Sequence, residues 1–318
     1  MLNRKHFPIV MAHINNPPYL EYCLRQIRKF NPDNPIYLIG DESNDCFDFV
    51  EHRNITDPVF SVDIDRFRAI YQHYSPLSFQ WERFCFERWL YIRNFLRAEN
   101  LSGCLAIDTD VLLFCDVDEE AERFKEYAMT FAHWDNNCNL VHCNFLQSRF
   151  ALDSFCDYMF QVYEDPTILE RIKKKIGMKY GRYWISDMSL FGDWSRQTKE
   201  KISFYEDFYS QGIYFDRCID NCKHFRCQFY FPGLKKFKKV FFLKGHPYGQ
   251  LKDGQTVPFK CLHYHGFFKF LMKDHFNGKH SHWKTFLLLF MRSILLIPRK
   301  LTNFVKRILY RLRHFKLK

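Results

Sequence analysis

The stretch Leu105-Ala106-Ile107-Asp108-Thr109-Asp110-Val111-Leu112-Leu113-Phe114 sets two acidic residues, one residue apart, between apolar runs. Apolar runs of this length read as a buried strand. An ionised carboxylate loses its hydration when buried. The pair is therefore predicted at the strand's carboxyl end, where parallel sheets bind ligands. Side chains at i and i+2 of an extended chain point the same way, so Asp108 and Asp110 are expected to converge on one cation. Hard oxygen ligands favour Mg²⁺ or Mn²⁺ over Zn²⁺. An ion there can bridge nucleotide phosphates and neutralise a leaving diphosphate. The plainer alternative is a strand followed by an acidic turn, and Asp-x-Asp alone does not separate the two.

Upstream, Phe7–His13 reads as a first strand, and Asn15-Asn16-Pro17-Pro18 as a turn. Tyr19, Leu20, Cys23, Leu24, Ile27 and Phe30 then recur at helical spacing. Ile36–Ile39 is a second strand stopped by Gly40-Asp41. Strand, helix, strand at this spacing implies a parallel sheet with a right-handed crossover. Residues 55–63 predict a third strand, 65–74 a short helix and 79–100 a long one. Downstream, strands are expected over 127–133 and 139–146, and one helix over 151–176. Residues 200–250 alternate aromatics with lysine and predict short strands around turns. The whole is expected to be one α/β domain with a mixed, mainly parallel sheet flanked by helices.

The chain has 318 residues, 47% of them apolar, and 36 are Phe, which excludes a disordered protein. Its formal charge is +11, yet residues 275–318 carry eleven Lys and Arg with no Asp or Glu, leaving residues 1–274 formally neutral. The basic balance thus belongs to the tail and not to the body. Pro8 and Asn15-Asn16-Pro17-Pro18 interrupt any apolar leader, and there are twelve cysteines. Reduced thiols in the cytoplasm are the expectation. Cys218, Cys222 and Cys227, with His224 among them, offer soft ligands, but their spacing is not a pair of Cys-x-x-Cys pairs.

Three stretches resemble the nucleotide-sugar glycosyltransferases of GT-A fold (Rossmann-like), above all the retaining lipopolysaccharide-galactosyltransferase and glycogenin kind. One is Arg88-Trp89 followed by Ala106-Ile107-Asp108-Thr109-Asp110-Val111-Leu112. Another is His263-Tyr264-His265-Gly266-Phe267-Phe268-Lys269, and a weaker one is Ser186-Asp187-Met188-Ser189. The resemblance covers about residues 6–275 and implies a metal-dependent transfer of sugar from a UDP-sugar to a glycan or lipid-linked acceptor. It implies Asp108, Asp110 and His263 as ligands of Mn²⁺ (or Mg²⁺), with Asp108 also touching the nucleotide ribose. His265 is the fallback imidazole. Gly266 would admit the diphosphate and Lys269 would neutralise a phosphate. Arg88 would add a second cation near the donor, and Asp187 would contact donor or acceptor. The base would lie near Ala12, Asn15 and Asp41. The family's Asn-x-Gly acceptor strand is absent; His142, Cys143 and Asn144 stand there, and no Pro-Trp follows Lys269.

Each residue also has a plainer reading. His263 or His265 can cap a strand, Arg88 can join a solvated ion-pair stripe with Glu82 and Glu87, and Asp187 can cap a helix. A non-catalytic nucleotide-sugar binder is the alternative function.

Residues 276–318 are read as an appended basic amphipathic tail after a domain of residues 1–275. The apolar run near 286–297 is interrupted by Arg292 and ends at Pro298. At about 13 residues it is too short to span a bilayer core of ~30 Å. Leu301, Phe304, Val305, Ile308, Leu312 and Phe315 fall on one helical face, opposite the cations. That pattern suits an anionic membrane surface, on the inner face of a membrane bounding the cytoplasm. The neutral body and the absence of a recognisable module argue against nucleic acid. A basic-tailed membrane or nucleic-acid adaptor remains the outside reading.

Overall fold

The computed structural model describes residues 6–178, 183–230 and 235–278. The tail reading covers residues 276–318, and its residues 279–318 lie outside them.

The chain forms β1 (Ile9–His13), α1 (Pro18–Phe30), β2 (Ile36–Gly40), β3 (Glu51–Asn54), α2 (Ile64–Ile70), α3 (Phe79–Ala98), β4 (Cys104–Ile107) and β5 (Val111–Leu113). There follow α4 (Val117–Arg123), β6 (Met129–His133), β7 (Asn139–Leu140), β8 (Cys143–Leu146), α5 (Arg149–Glu164), α6 (Pro166–Ile176) and α7 (Asp187–Trp194). The last described part holds β9 (Ile202–Phe204), β10 (Tyr214–Phe215), β11 (Cys227–Tyr230), β12 (Lys235–Lys238), β13 (Val240–Leu243), β14 (His246–Gln250), β15 (Thr256–His263) and α8 (Met272–Phe276).

The main sheet runs β3-β2-β1-β4-β8-β6-β7, with β9 alongside β6. Its first four strands are parallel, and β8 turns antiparallel against β4. Alternation along the strands feeds two cores. Ile9, Met11, Leu105 and Ile107 pack with Leu20, Cys23, Leu24 and Ile27 of α1 on one face. Val10 and Ala106 pack with Trp89, Leu90, Phe95 and Leu96 of α3, and with α5, on the other. A fully buried side chain of this size contributes about 1.5–3 kcal/mol relative to exposure. The strand–helix–strand start therefore folds as its spacing predicts.

A second sheet, β10-β15-β14-β13 with β5 on β15, abuts the α1 face. This corrects the single-sheet expectation. The acidic pair lies just past the carboxyl end of β4, where it was expected, and the apolar run after it is a separate strand. The chain leaves the main sheet at Ile107, turns through Asp108-Thr109-Asp110, and enters the second sheet at Val111.

Two further corrections concern local chemistry. Residues 55–63 are turns, not a strand, and β3 lies earlier at Glu51–Asn54. The Asn54 side chain accepts from Thr56 N (2.9 Å) and that of Asp57 from Val59 N (3.0 Å), and these local bonds compete with a ladder. The long helix over 151–176 is two helices. Asp165 caps α6 through Thr167 N (2.8 Å), and Pro166, which lacks an N–H, opens it. No helix among the described residues is long and apolar enough to cross a membrane. None of the twelve cysteines is paired in a disulfide.

Candidate active site

The parallel strands β1, β2 and β4 all end on one edge, at His13, Gly40 and Ile107. Ile9 is level with Leu105 and Val10 with Ala106, so continuing that register sets Ala12 level with Asp108. The turn is pinned from several sides. Asp108 N donates to His142 O (2.7 Å), Tyr264 N to Asp110 O (2.8 Å), and Val111 N to Asp108 O (3.2 Å). Thr109 Oγ1 lies 3.0 Å from His13 Nδ1. Burial, aided by Lys269, lowers the His13 pKa to about 4, so this ring is neutral at pH 7.

The motif is a turn, and its two carboxylates engage different partners while each remains within electrostatic reach of the other. Asp108 is ion-paired with Arg88 of α3. Arg88 Nη2 also donates to Asp187 Oδ2 (2.8 Å), which takes a second bond from Trp89 Nε1 (3.0 Å). Arg88 is thus no member of a solvated stripe; it is a largely buried clamp between Asp108 and Asp187. Glu82 and Glu87 are not partners of that clamp: Glu82 accepts from Ser75, and Glu87 takes a two-point contact from Arg68 (2.8 and 3.0 Å). Asp187 opens α7, but the residue capping that helix is Ser186. Burial pushes the Asp108 carboxyl up, and Arg88 opposes that shift.

Asp110 has its own partners. Its Oδ2 is 2.9 Å from Lys269 Nζ and its Oδ1 is 3.5 Å from His263 Nε2. Burial works to raise this carboxyl, yet His263 and Lys269 together hold it well below the usual range. His263 ends β15, which pairs with β5 at Val111↔His263. That pairing carries the imidazole to the turn from far downstream. Its Nδ1 is 2.8 Å from Arg217 O. A carbonyl only accepts, so Nδ1 carries the proton. Nε2 then faces a carboxylate oxygen across 3.5 Å, and although burial works to lower the imidazole pKa, that carboxylate raises it. Two electron-rich atoms so placed need a cation between them, either a proton or a metal ion. A histidine whose far nitrogen donates to a backbone carbonyl is in the usual posture of a metal ligand. The donor set of one carboxylate and one imidazole, with Asp108 beside it, suits Mn²⁺.

Lys269 sits on the short 3₁₀ segment Gly266–Leu271. Its ammonium lies 4.5 Å from the Tyr19 ring centroid and 5.6 Å from that of Trp81. Gly266 has φ +55, a left-handed conformation that glycine adopts without strain. At the outer edge, Asn15 N donates to Asp41 Oδ2 (2.8 Å), which joins the ends of β1 and β2. Asn44 Nδ2 donates to His13 O (3.0 Å) and Asn15 O (3.1 Å) beneath them. Ala12, Asn15 and Asp41 therefore share one ledge beside the turn.

Several neighbours were given no site role by the sequence. The His142 ring stacks on His263, with centroids 4.2 Å apart and planes 5° from parallel. Burial, with His263 adding to it, holds His142 well below its ordinary pKa. Burial also raises the Glu82 carboxyl, hydrogen-bonded to Ser75, to about 7. Tyr19 and Trp81 flank Lys269. Only Trp81 left a sequence signal, as a tryptophan in the first turn of a helix that also supplies Arg88.

No protein-family model matches this chain, and no curated protein does. Among solved structures, mouse xyloside xylosyltransferase 1 in its apo form is similar over 62% of this chain and 84% of its own, with a TM-score of 0.45 and 10% identity. That likeness is too distant to bear on the chemistry.

Proposed function

We propose that this chain is a metal-dependent glycosyltransferase that moves a sugar from a UDP-sugar to a glycan or lipid-linked acceptor, with retention. The fold we infer is GT-A, of the lipopolysaccharide-galactosyltransferase and glycogenin kind. One observation carries the reading: Asp110, His263 and Lys269 meet beside the carboxyl ends of β1 and β4, although they come from distant parts of the chain.

Asp110 and His263, with Asp108, would hold Mn²⁺ or Mg²⁺. The ion supplies charge neutralisation for the departing diphosphate. Lys269, a point charge poised at the turn, would bind a phosphate oxygen and stabilise the charge that develops on it. Gly266 leaves room for the phosphates beside it. Arg88 positions Asp108 and Asp187, and Asp187 would face the donor sugar or the acceptor. Ala12, Asn15 and Asp41 would seat the base and ribose. Attack and departure on one face require no strong base at the donor.

The test is Mn²⁺-dependent release of UDP from a panel of UDP-sugars. Release from at least one donor, abolished in Asp110→Asn, supports the reading. Release that is unchanged in that variant overturns the metal assignment. A second reading, donor binding without turnover, is favoured by the Arg88 clamp, which already engages both Asp108 and Asp187. Binding of UDP with no release from any donor would select it. For residues 276–318 we propose contact with an anionic membrane surface in the cytoplasm. Liposome flotation with and without residues 284–318 decides it, and equal flotation overturns it.

A further inference from the structure

We propose that Cys218, Asp220 and His265 form a zinc-binding site separate from the Asp110–His263 pair. One ligand atom from each lies within 4.8 Å of the other two. Around a tetrahedral zinc ion, with Zn–S near 2.3 Å and Zn–N near 2.0 Å, neighbouring ligand atoms stand roughly 3.3–3.8 Å apart. Closing that gap takes about 1 Å of side-chain movement, within reach of rotation at His265 and Asp220. The set of one thiolate, one imidazole and one carboxylate is borderline soft, and it selects Zn²⁺ over Mn²⁺ or Mg²⁺.

The backbone prepares this arrangement. Asn221 N donates to Cys218 O (2.9 Å) and closes a turn that carries Cys218 and Asp220. Ile219 N donates to His263 O (2.8 Å), and His263 N to Asp216 Oδ2 (3.1 Å). Lys238 Nζ, itself buried, is 2.5 Å from both Asp216 Oδ1 and Cys218 O. These bonds staple the 216–221 loop to the end of β15, two residues before His265. Cys218 is buried and His265 is exposed, so the site opens to solvent on the imidazole side. Without metal, burial and the adjacent Asp220 keep the thiol protonated, and burial with His263 nearby favours a neutral His265. Binding then releases the thiol proton to water as the Zn–S bond forms, while imidazole and carboxylate coordinate without proton loss. Water takes the fourth position. The ion would tie the loop to the turn at Gly266 that leads to Lys269.

The distinguishing experiment uses the metal-free full chain and involves no sugar, so it stands whether or not the chain is a transferase. Co²⁺ is titrated in as a spectroscopic substitute, and Zn²⁺ is then titrated in competition with a chromophoric chelator. The expected result is a thiolate-to-cobalt charge-transfer band that one equivalent of Zn²⁺ displaces. The band should be absent in Cys218→Ser and retained in Asp110→Asn. His265→Ala, at an exposed position that tolerates truncation, should weaken zinc binding by at least ~100-fold. Absence of the band in the wild-type chain overturns the site, as does its persistence in Cys218→Ser. Zinc affinity unchanged in His265→Ala does so too.

Discussion

On one side of the Asp-Thr-Asp turn, Asp108 is held by Arg88 from a packed helix of the main-sheet core. On the other, Asp110 is held by His263 and Lys269, which belong to the second sheet and the segment after it. The Asp108 side is a closed circuit: Arg88 satisfies two carboxylates, and Trp89 satisfies Asp187 again. The Asp110 side is looser: its lysine also leans on aromatic rings, and its imidazole stands 3.5 Å from a carboxylate oxygen. Two carboxylates of identical chemistry, one residue apart, thus take different work from their neighbours. One side holds its carboxylate between packed helices; the other is the side to which the proposed function assigns a cation and a phosphate.

Asp110→Asn tests that division hardest. UDP release in Mn²⁺ is expected to fall by roughly 10³-fold or more, while Lys269 and His263 keep Tyr19 and the Arg217 carbonyl as partners. Arg88→Ala should act on the fold instead. It strands two carboxylates in a largely buried setting, and about 3–5 kcal/mol of stability should be lost in urea unfolding. A loss under 1 kcal/mol would erase the contrast. Glu82, on the same helix, adds a pH test. Its pKa is about 7 folded against an ordinary 4.5, so the folded state binds the proton more tightly. That stability is fully present below pH 4.5 and lost as pH rises through 7. The span is on the order of 3 kcal/mol. Wild type should therefore lose stability relative to Glu82→Gln between pH 5 and pH 8; parallel curves would refute the shift.

On the looser side, Lys269→Met should raise KM for the UDP-sugar by roughly 10–100-fold, a loss of about 1.4–2.7 kcal/mol in binding a phosphate. It should spare the urea midpoint more than Arg88→Ala does. The smallest effect is expected at Ser78, which caps α3 through Trp81 N (3.3 Å). Ser78→Ala should cost about 1 kcal/mol and shift UDP release little, because the clamp residue Arg88 lies nearly three turns further along the helix.

Much of this was legible in the sequence, for identifiable reasons. Periodicity marked β1, α1, β2 and α3 because local burial patterns are written at short range. Asp108, Asp110, His263 and Lys269 could be named as a group only through a motif resemblance, since no spacing rule joins residues so far apart. The end of β4 at the acidic pair was legible, but the course of the chain beyond it was not. Nothing local reports that Val111–Leu113 pairs with β15 in a second sheet. The turns at 55–63 and the break at Asp165-Pro166 were written locally, in Asx chemistry and proline, and were outweighed by apolar periodicity. His142 showed in the sequence only as a departure from the family's acceptor strand; its stacking on His263 depends on distant strands converging.

The residue between the two aspartates is a spacer cut to length by two independent gauges. Before it, β4 is locked against β1 and β8; after it, β5 is locked against β15. One added residue here could not be taken up as slack. It would push β5 one step along its partner and exchange its inward and outward side chains, swapping Leu112 with Val111 and Leu113 in their packing. The interval between the carboxylates is therefore a dimension of the framework itself, and a change in it would be felt as a folding defect before any chemistry could be assayed.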